Sequence, residues 1–209
     1  GRQVEPHVRQ FRMGQDRRVA AHFAVETGLE TGRGTTRHHQ IGLRCILLGQ
    51  RGTDVFSWDV FGNKWTSDAR DELKLDDLRT FQTPAGTLPD LSKYDGKRDA
   101  VFTLNGTAAG VCIPDYDWID ADREGLTLCD ATSAAFAVDI DWSKIDVLTF
   151  SWQKCMGGEA QHGIAILSPR ARQRLREYRP SWPVPRILQL FEAGDETAKI
   201  YEGSTINTP

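Results

Sequence analysis

Short apolar or β-branched runs closed by polar turn residues recur along this chain from Leu47 onward. Runs of that kind suit strands covered on both faces. They fall at Asp54–Trp58 (DVFSW), Leu78–Gln82, Asp99–Leu104, Leu126–Cys129, Val147–Trp152 and His162–Leu167. Between the first two, WTSDARDELKL from Trp65 to Leu75 reads as a helix, which gives a β-α-β rhythm. Ser168 as N-cap and Pro169 in the first turn open a second, basic amphipathic helix over ARQRLREYR. Pro180, Pro183 and Pro185 stop it, and Pro114–Gly125 reads as an irregular, acid-rich connection.

Two of these runs end in chemistry. Leu126–Cys129 leads into Asp130, and Val147–Trp152 leads into Gln153 and Lys154. In open α/β sheets, ligands bind at the carboxyl ends of the strands. A carboxylate and an amine at two such ends, 24 positions apart, suit a Schiff-base lysine and an aspartate partner for a pyridinium nitrogen. Spacing alone favours a plainer description, an Asp cap and a solvated Lys. The glycines of NGTAAG, after the Asp99–Leu104 run, suit close approach of backbone to a ligand, although an ordinary polar turn reads the same way. Trp65, beside a turn, reads on pattern alone as a packing residue.

The flanking residues shift that balance. FSWQKCMGGEAQHGIAILSPRA closely resembles the cofactor-lysine segment of phosphoserine aminotransferases, which are class V, fold-type I enzymes dependent on pyridoxal 5'-phosphate. DREGLTLCDATSAAFA resembles the segment carrying their pyridine-nitrogen aspartate, and PSWPVPRILQL matches a further one. The resemblance runs from about Leu47 to the last residue, with its motifs in the family's order. It implies part of a fold-type I large domain: a mostly parallel sheet with helices on both faces, truncated, with His162–Leu167 antiparallel to its neighbour.

The same resemblance implies roles. Lys154 would hold the cofactor and carry the substrate's proton; Asp130 would face the ring nitrogen. Trp65, in GNKWTSDA, would stack on the ring, Thr107 would meet the phenolic oxygen, and Gln153 would meet the phosphate. Asn207 and Thr208, in STINTP, would reach the partner subunit's cofactor phosphate, which implies a homodimer. The implied reaction is reversible amino transfer between O-phosphoserine and 2-oxoglutarate, in serine biosynthesis. Another class V enzyme, such as a serine–glyoxylate aminotransferase, would share Asp130 and Lys154. A non-catalytic fragment without a complete site is the reading from a different class. The family's small domain would follow Pro209.

Composition bounds the rest. At 209 residues and 39% hydrophobic, the chain can bury one domain core, with part of a second. A net charge of −3 gives no electrostatic case for nucleic acid or an anionic membrane. No apolar run approaches the ~20 residues that span a bilayer, and the N-terminus does not read as a signal peptide. The four cysteines are scattered without metal-ligand spacing, which points to reduced thiols in the cytoplasm, with Cys155 as a small core residue and no metal. Residues 1–45 differ from the remainder: eight Arg, no Lys and four of the five His, net +4 against −7. They carry no sustained period and do not resemble the family. The expected division is an atypical segment over 1–45 and a partial cofactor-binding large domain over 46–209.

Overall fold

The computed structural model describes residues 22–23, 46–158 and 163–183. Among them, one sheet of seven strands organises the chain: β1 (His22–Phe23), β2 (Thr53–Ser57), β3 (Leu78–Gln82), β4 (Asp99–Thr103), β5 (Thr127–Asp130), β6 (Val147–Ser151) and β7 (Gly163–Leu167), in the order β1-β7-β6-β5-β4-β2-β3. The pairings from β3 through β2, β4 and β5 to β6 are parallel. β7 runs antiparallel to β6, as expected, and β1 antiparallel to β7. His22 and Phe23, from the segment to which sequence assigned no stable fold, thus pair with Ile166 and Ala165 at that edge.

Helix α1 spans Val60–Ser67, and α2 spans Pro169–Glu177. The predicted helix start at Trp65 is corrected by Asp59, whose side chain accepts from Phe61 N and Gly62 N and so fixes the N-terminus a turn and a half earlier. A π turn over Asp68–Glu72 continues it. For α2, the sequence signal holds in detail: the Ser168 hydroxyl accepts from Ala171 N, and Pro169 occupies the first turn.

Strand alternation divides the core in two. Val55, Val101, Leu128, Val147 and Leu167 face Trp65 and Ala69 from the α1 side, Ala171 and Leu175 of α2, and Ile46, Leu47 and Leu48. On the other face, Phe56, Phe102, Cys129, Leu148 and Phe150 meet connecting segments, through Leu91, Tyr94, Ile113, Ile119 and Ala134. Both described α-helices therefore lie on one face, and connections, among them the 3-10 turn Leu91–Lys93, cover the other. Trp118 packs there with edge-on contacts to Phe102 and Tyr94, centroids 5.0 and 5.6 Å apart.

At the amino edge of the sheet sit three buried carboxylates, each paired. Asp54 takes Arg79 through both oxygens, at 2.8 and 2.6 Å, and Arg98 at 2.6 Å. Asp99 takes Arg174 of α2 at 2.5 Å and the Leu126 N–H at 2.8 Å. Asp146 takes Arg123 at 3.0 Å, Arg170 at 3.2 Å, the Ser168 hydroxyl at 2.8 Å and the Thr127 N–H at 3.0 Å. Gly125 lies in the same edge, where a Cβ would stand 1.7 Å from the Arg98 carbonyl oxygen, so backbone approach excludes any side chain there.

Burial pushes the Asp99 carboxyl above its ordinary range, and Arg174 opposes that push. Arg174→Met therefore leaves a buried carboxylate without its cation and is expected to cost about 3–5 kcal/mol at neutral pH. In the variant, the folded state binds a proton that the unfolded state has released, so stability falls as pH rises through that window. Urea unfolding should show the gap to the parent chain narrowing as the pH is lowered toward the ordinary carboxylate range.

Candidate active site

The carboxyl edge of the same sheet is built differently. Asp130 is the last residue of β5, half-buried, and its Oδ1 accepts from Thr132 N at 2.8 Å and the Thr132 hydroxyl at 2.5 Å. The strand's end thus becomes an Asx turn that aims the carboxylate out of the sheet. On the neighbouring strand, β6 ends at Ser151, and a turn closed by Gly157 N→Lys154 O at 3.0 Å and Gly158 N→Trp152 O at 2.9 Å carries Lys154. Gly157 adopts φ +68°, which glycine takes without cost. Lys154 is exposed. The predicted carboxylate and amine therefore leave the carboxyl ends of adjacent strands.

Thr107 comes to the same edge, in the turn after β4. Its Oγ1 lies 2.6 Å from the Ser133 Oγ, and the Ser133 hydroxyl donates to Asn105 Oδ1 at 2.9 Å. Because a hydroxyl has one proton, Ser133 spends its own on Asn105, and Thr107 is the donor in the first contact. Thr107 must release Ser133 to donate elsewhere. Asp59 holds this turn from the other side: besides capping α1, it accepts from Ala108 N at 3.4 Å. Trp58, fully buried, donates from Nε1 to the Val111 carbonyl at 3.0 Å, and a Cβ on Gly106 would stand 2.9 Å from that nitrogen. The Gly106 backbone thus lies against the indole.

Gln153 sits beside Lys154, its carbonyl oxygen accepting from the Ser151 hydroxyl. Trp65 is 7% exposed and belongs to the cluster that includes Val55, Val101 and Ile46–Leu48, on the face of the sheet that carries Asp130. The aromatic presented at the start of α1 is Phe61, 45% exposed, with Lys64 Nζ 5.8 Å from its ring centroid. Sequence reasoning missed it because it placed the helix start at Trp65; Asp59 followed by an apolar pair and Gly62 was the signal available. Cys155 is exposed, not a core residue. Asn207 and Thr208 lie outside the described residues, as does His162.

Two further hydroxyls mark the place. Thr103 of β4 and Thr149 of β6 are the register partners of Asp130, one on each side, and share its face of the sheet. Both are buried, and neither Oγ1 has a hydrogen-bond partner. A buried unpaired polar group costs roughly 1–3 kcal/mol, so a pair of them at one carboxylate marks a polar locus. An acceptor for a ring N–H, a hydroxyl for a phenolic oxygen, an amine for an aldehyde and an exposed aromatic ring suit pyridoxal phosphate. The N–H groups at the start of α1 are taken by Asp59, so a phosphate would bind elsewhere. Among the described residues no group of His, Cys, Asp or Glu suits a metal ion, and no helix is long and apolar enough to cross a membrane.

Comparison with known proteins meets this geometry. No family model matches. Phosphoserine aminotransferase of Methanosarcina barkeri is 57% identical over 163 residues, which are 78% of this chain and 44% of that protein. Over that stretch the chain is similar to part of a phosphoserine aminotransferase. It spans less than half the length of that relative. The crystal structure of a phosphoserine aminotransferase from Cytophaga hutchinsonii superposes with TM-score 0.56 at 23% identity, over 66% of this chain and 39% of that one. An alanine–glyoxylate aminotransferase from a Nostoc species superposes with TM-score 0.61 at 18% identity, over 74% and 43%. The stretch similar to phosphoserine aminotransferase therefore has a fold found also in an alanine–glyoxylate aminotransferase.

The Asp59 contacts make a direct test of how this edge is held. Asp59→Ala removes the cap of α1 and the Ala108 contact together and is expected to cost about 1–2 kcal/mol in urea unfolding. Asp59→Asn, which keeps an acceptor oxygen, should recover most of that loss.

Proposed function

We propose that this chain supplies the cofactor-binding core of a phosphoserine aminotransferase, transferring an amino group between O-phosphoserine and 2-oxoglutarate. The observation that carries this reading is the exit of Asp130 and Lys154 from adjacent strands, in a chain 57% identical to a protein of that name. Bound pyridoxal 5'-phosphate supplies the electron sink that lets an amino acid's α-proton leave. The Asp130 carboxylate would hold the ring nitrogen and favour its protonated form. Lys154 Nζ would hold the cofactor and, in the reaction, carry the proton of the substrate's α-carbon.

Around that pair, the Thr107 hydroxyl would turn from Ser133 to hold the phenolic oxygen, and Gln153 would hold the phosphate. Trp65 would stack on the ring, with Phe61 exposed at the start of the same helix. Asn207 and Thr208 act on the phosphate of a partner subunit, in a homodimer, and the reaction belongs to serine biosynthesis in the cytoplasm. Three described cysteines, Cys112, Cys129 and Cys155, are unpaired thiols, which supports a reducing compartment. The small-domain residues of the longer relatives complete substrate recognition.

The test needs no turnover. The full chain is incubated with pyridoxal 5'-phosphate, reduced with borohydride and mapped by peptide mass. A cofactor-sized mass on the Lys154 peptide, absent from Lys154→Ala and diminished in Asp130→Ala, is the expected result. Prior addition of O-phosphoserine should remove it, whereas removal by serine and not by O-phosphoserine would favour a serine–glyoxylate aminotransferase. No adduct on the parent chain would leave a non-catalytic fragment.

A further inference from the structure

The unpartnered hydroxyls at Thr103 and Thr149 have a common neighbour. In the parallel register, Thr103 pairs with Asp130 and Asp130 with Thr149, so the three side chains stand in one row on one face. The next row toward the amino edge on that face is Val101, Leu128 and Val147, wholly apolar. Thr103 is 3% and Thr149 5% exposed. Adjacent strands lie about 4.8 Å apart, so rotation about χ1 brings either hydroxyl to the carboxylate between them. Thr132 donates twice to the same carboxylate from the outer side.

We propose that Thr103 and Thr149 are positioning residues that donate to Asp130 from its two flanking strands, keeping its carboxylate charged and aimed at the cationic ring nitrogen. This rests on the reading of Asp130 given above. Asp130 stands above an apolar row, where desolvation favours the neutral acid, and a neutral acid holds a cationic N–H poorly. Donors bound to the charged form oppose that drift. The hydroxyls reach Asp130 from β4 and β6, on either side of it, and Thr132 reaches it from beyond the strand end. Three directions of donation hold a carboxylate's plane as well as its charge.

The test is a carbon-detected NMR titration of Asp130 in the full chain, without cofactor, comparing Thr103→Val and Thr149→Val with the parent. Val keeps the shape of Thr and removes the donor. Ionisable groups on the surrounding elements, Asp59 and Lys64 of the α1 region, Asp68 of the π turn, Cys129 of β5 and Lys154 after β6, are unchanged by either substitution. Each Val variant should raise the titration midpoint of Asp130 by roughly one pH unit, and Thr149→Ser should restore it. If a Val side chain is not accepted, Thr149→Ala removes the same donor in a smaller volume. An unchanged midpoint in a variant that unfolds at higher urea would overturn the proposal, since the hydroxyls would then be only buried orphans. Lys154 labelling of the parent chain separates the two readings. An adduct with an unmoved midpoint sinks the threonine proposal alone; a moved midpoint without an adduct sinks the cofactor reading and its use of Asp130.

Discussion

The position of Asp130 depends on a carboxylate at the opposite end of its strand. Asp146, just before β6, accepts from the Thr127 N–H and hydroxyl, and its own N–H donates to the Thr127 carbonyl at 3.0 Å. The first residue of β5 is thereby tied to the residue that precedes β6. A parallel pair locked at its start has no freedom of register at its finish, and a slip of one residue would send every side chain to the other face. Asp130 beside Thr149, and Lys154 beyond them, are consequences of that lock. Arg123 and Arg170 neutralise the charge that performs it, and the Ser168 contact extends the lock to the start of α2.

The two edges of the sheet divide the work. At the amino edge, charges are buried with their partners, and a single lost cation leaves a carboxylate that water cannot reach. At the carboxyl edge, a half-buried acid, an exposed amine and hydroxyls meet at the ends of strands that are apolar along their length. Strand direction makes this separation possible: four parallel pairings bring all the carboxyl ends of β2 to β6 to one side.

Much of this was legible from residues. Leu78–Gln82 is a strand as predicted, and the other runs agree to within a residue, because continuous apolar runs closed by turn residues are what doubly covered strands require. Asp130 and Lys154 were visible as polar residues that end such runs. The helix start at Trp65 was misplaced for a physical reason: Asp59 captures the first N–H groups of α1, so the helix starts earlier and Phe61 takes an exposed position in its first turn. Cys155 failed because the turn after β6 leaves the core at once. The Thr103–Asp130–Thr149 row could not be read in the chain at all, since register exists only once strands are paired.

The pinned turns at the carboxyl edge have a thermodynamic consequence. Asn105, Ser133 and Thr107 are strung on hydrogen bonds, Gly106 lies against Trp58, and Asp59 joins the turn after β4 to α1. The conformational entropy of these segments is thus surrendered when the chain folds, not when a ligand arrives. Binding at such an edge is spared that ordering cost, and loosening a turn would weaken it without removing a single group that touches the ligand.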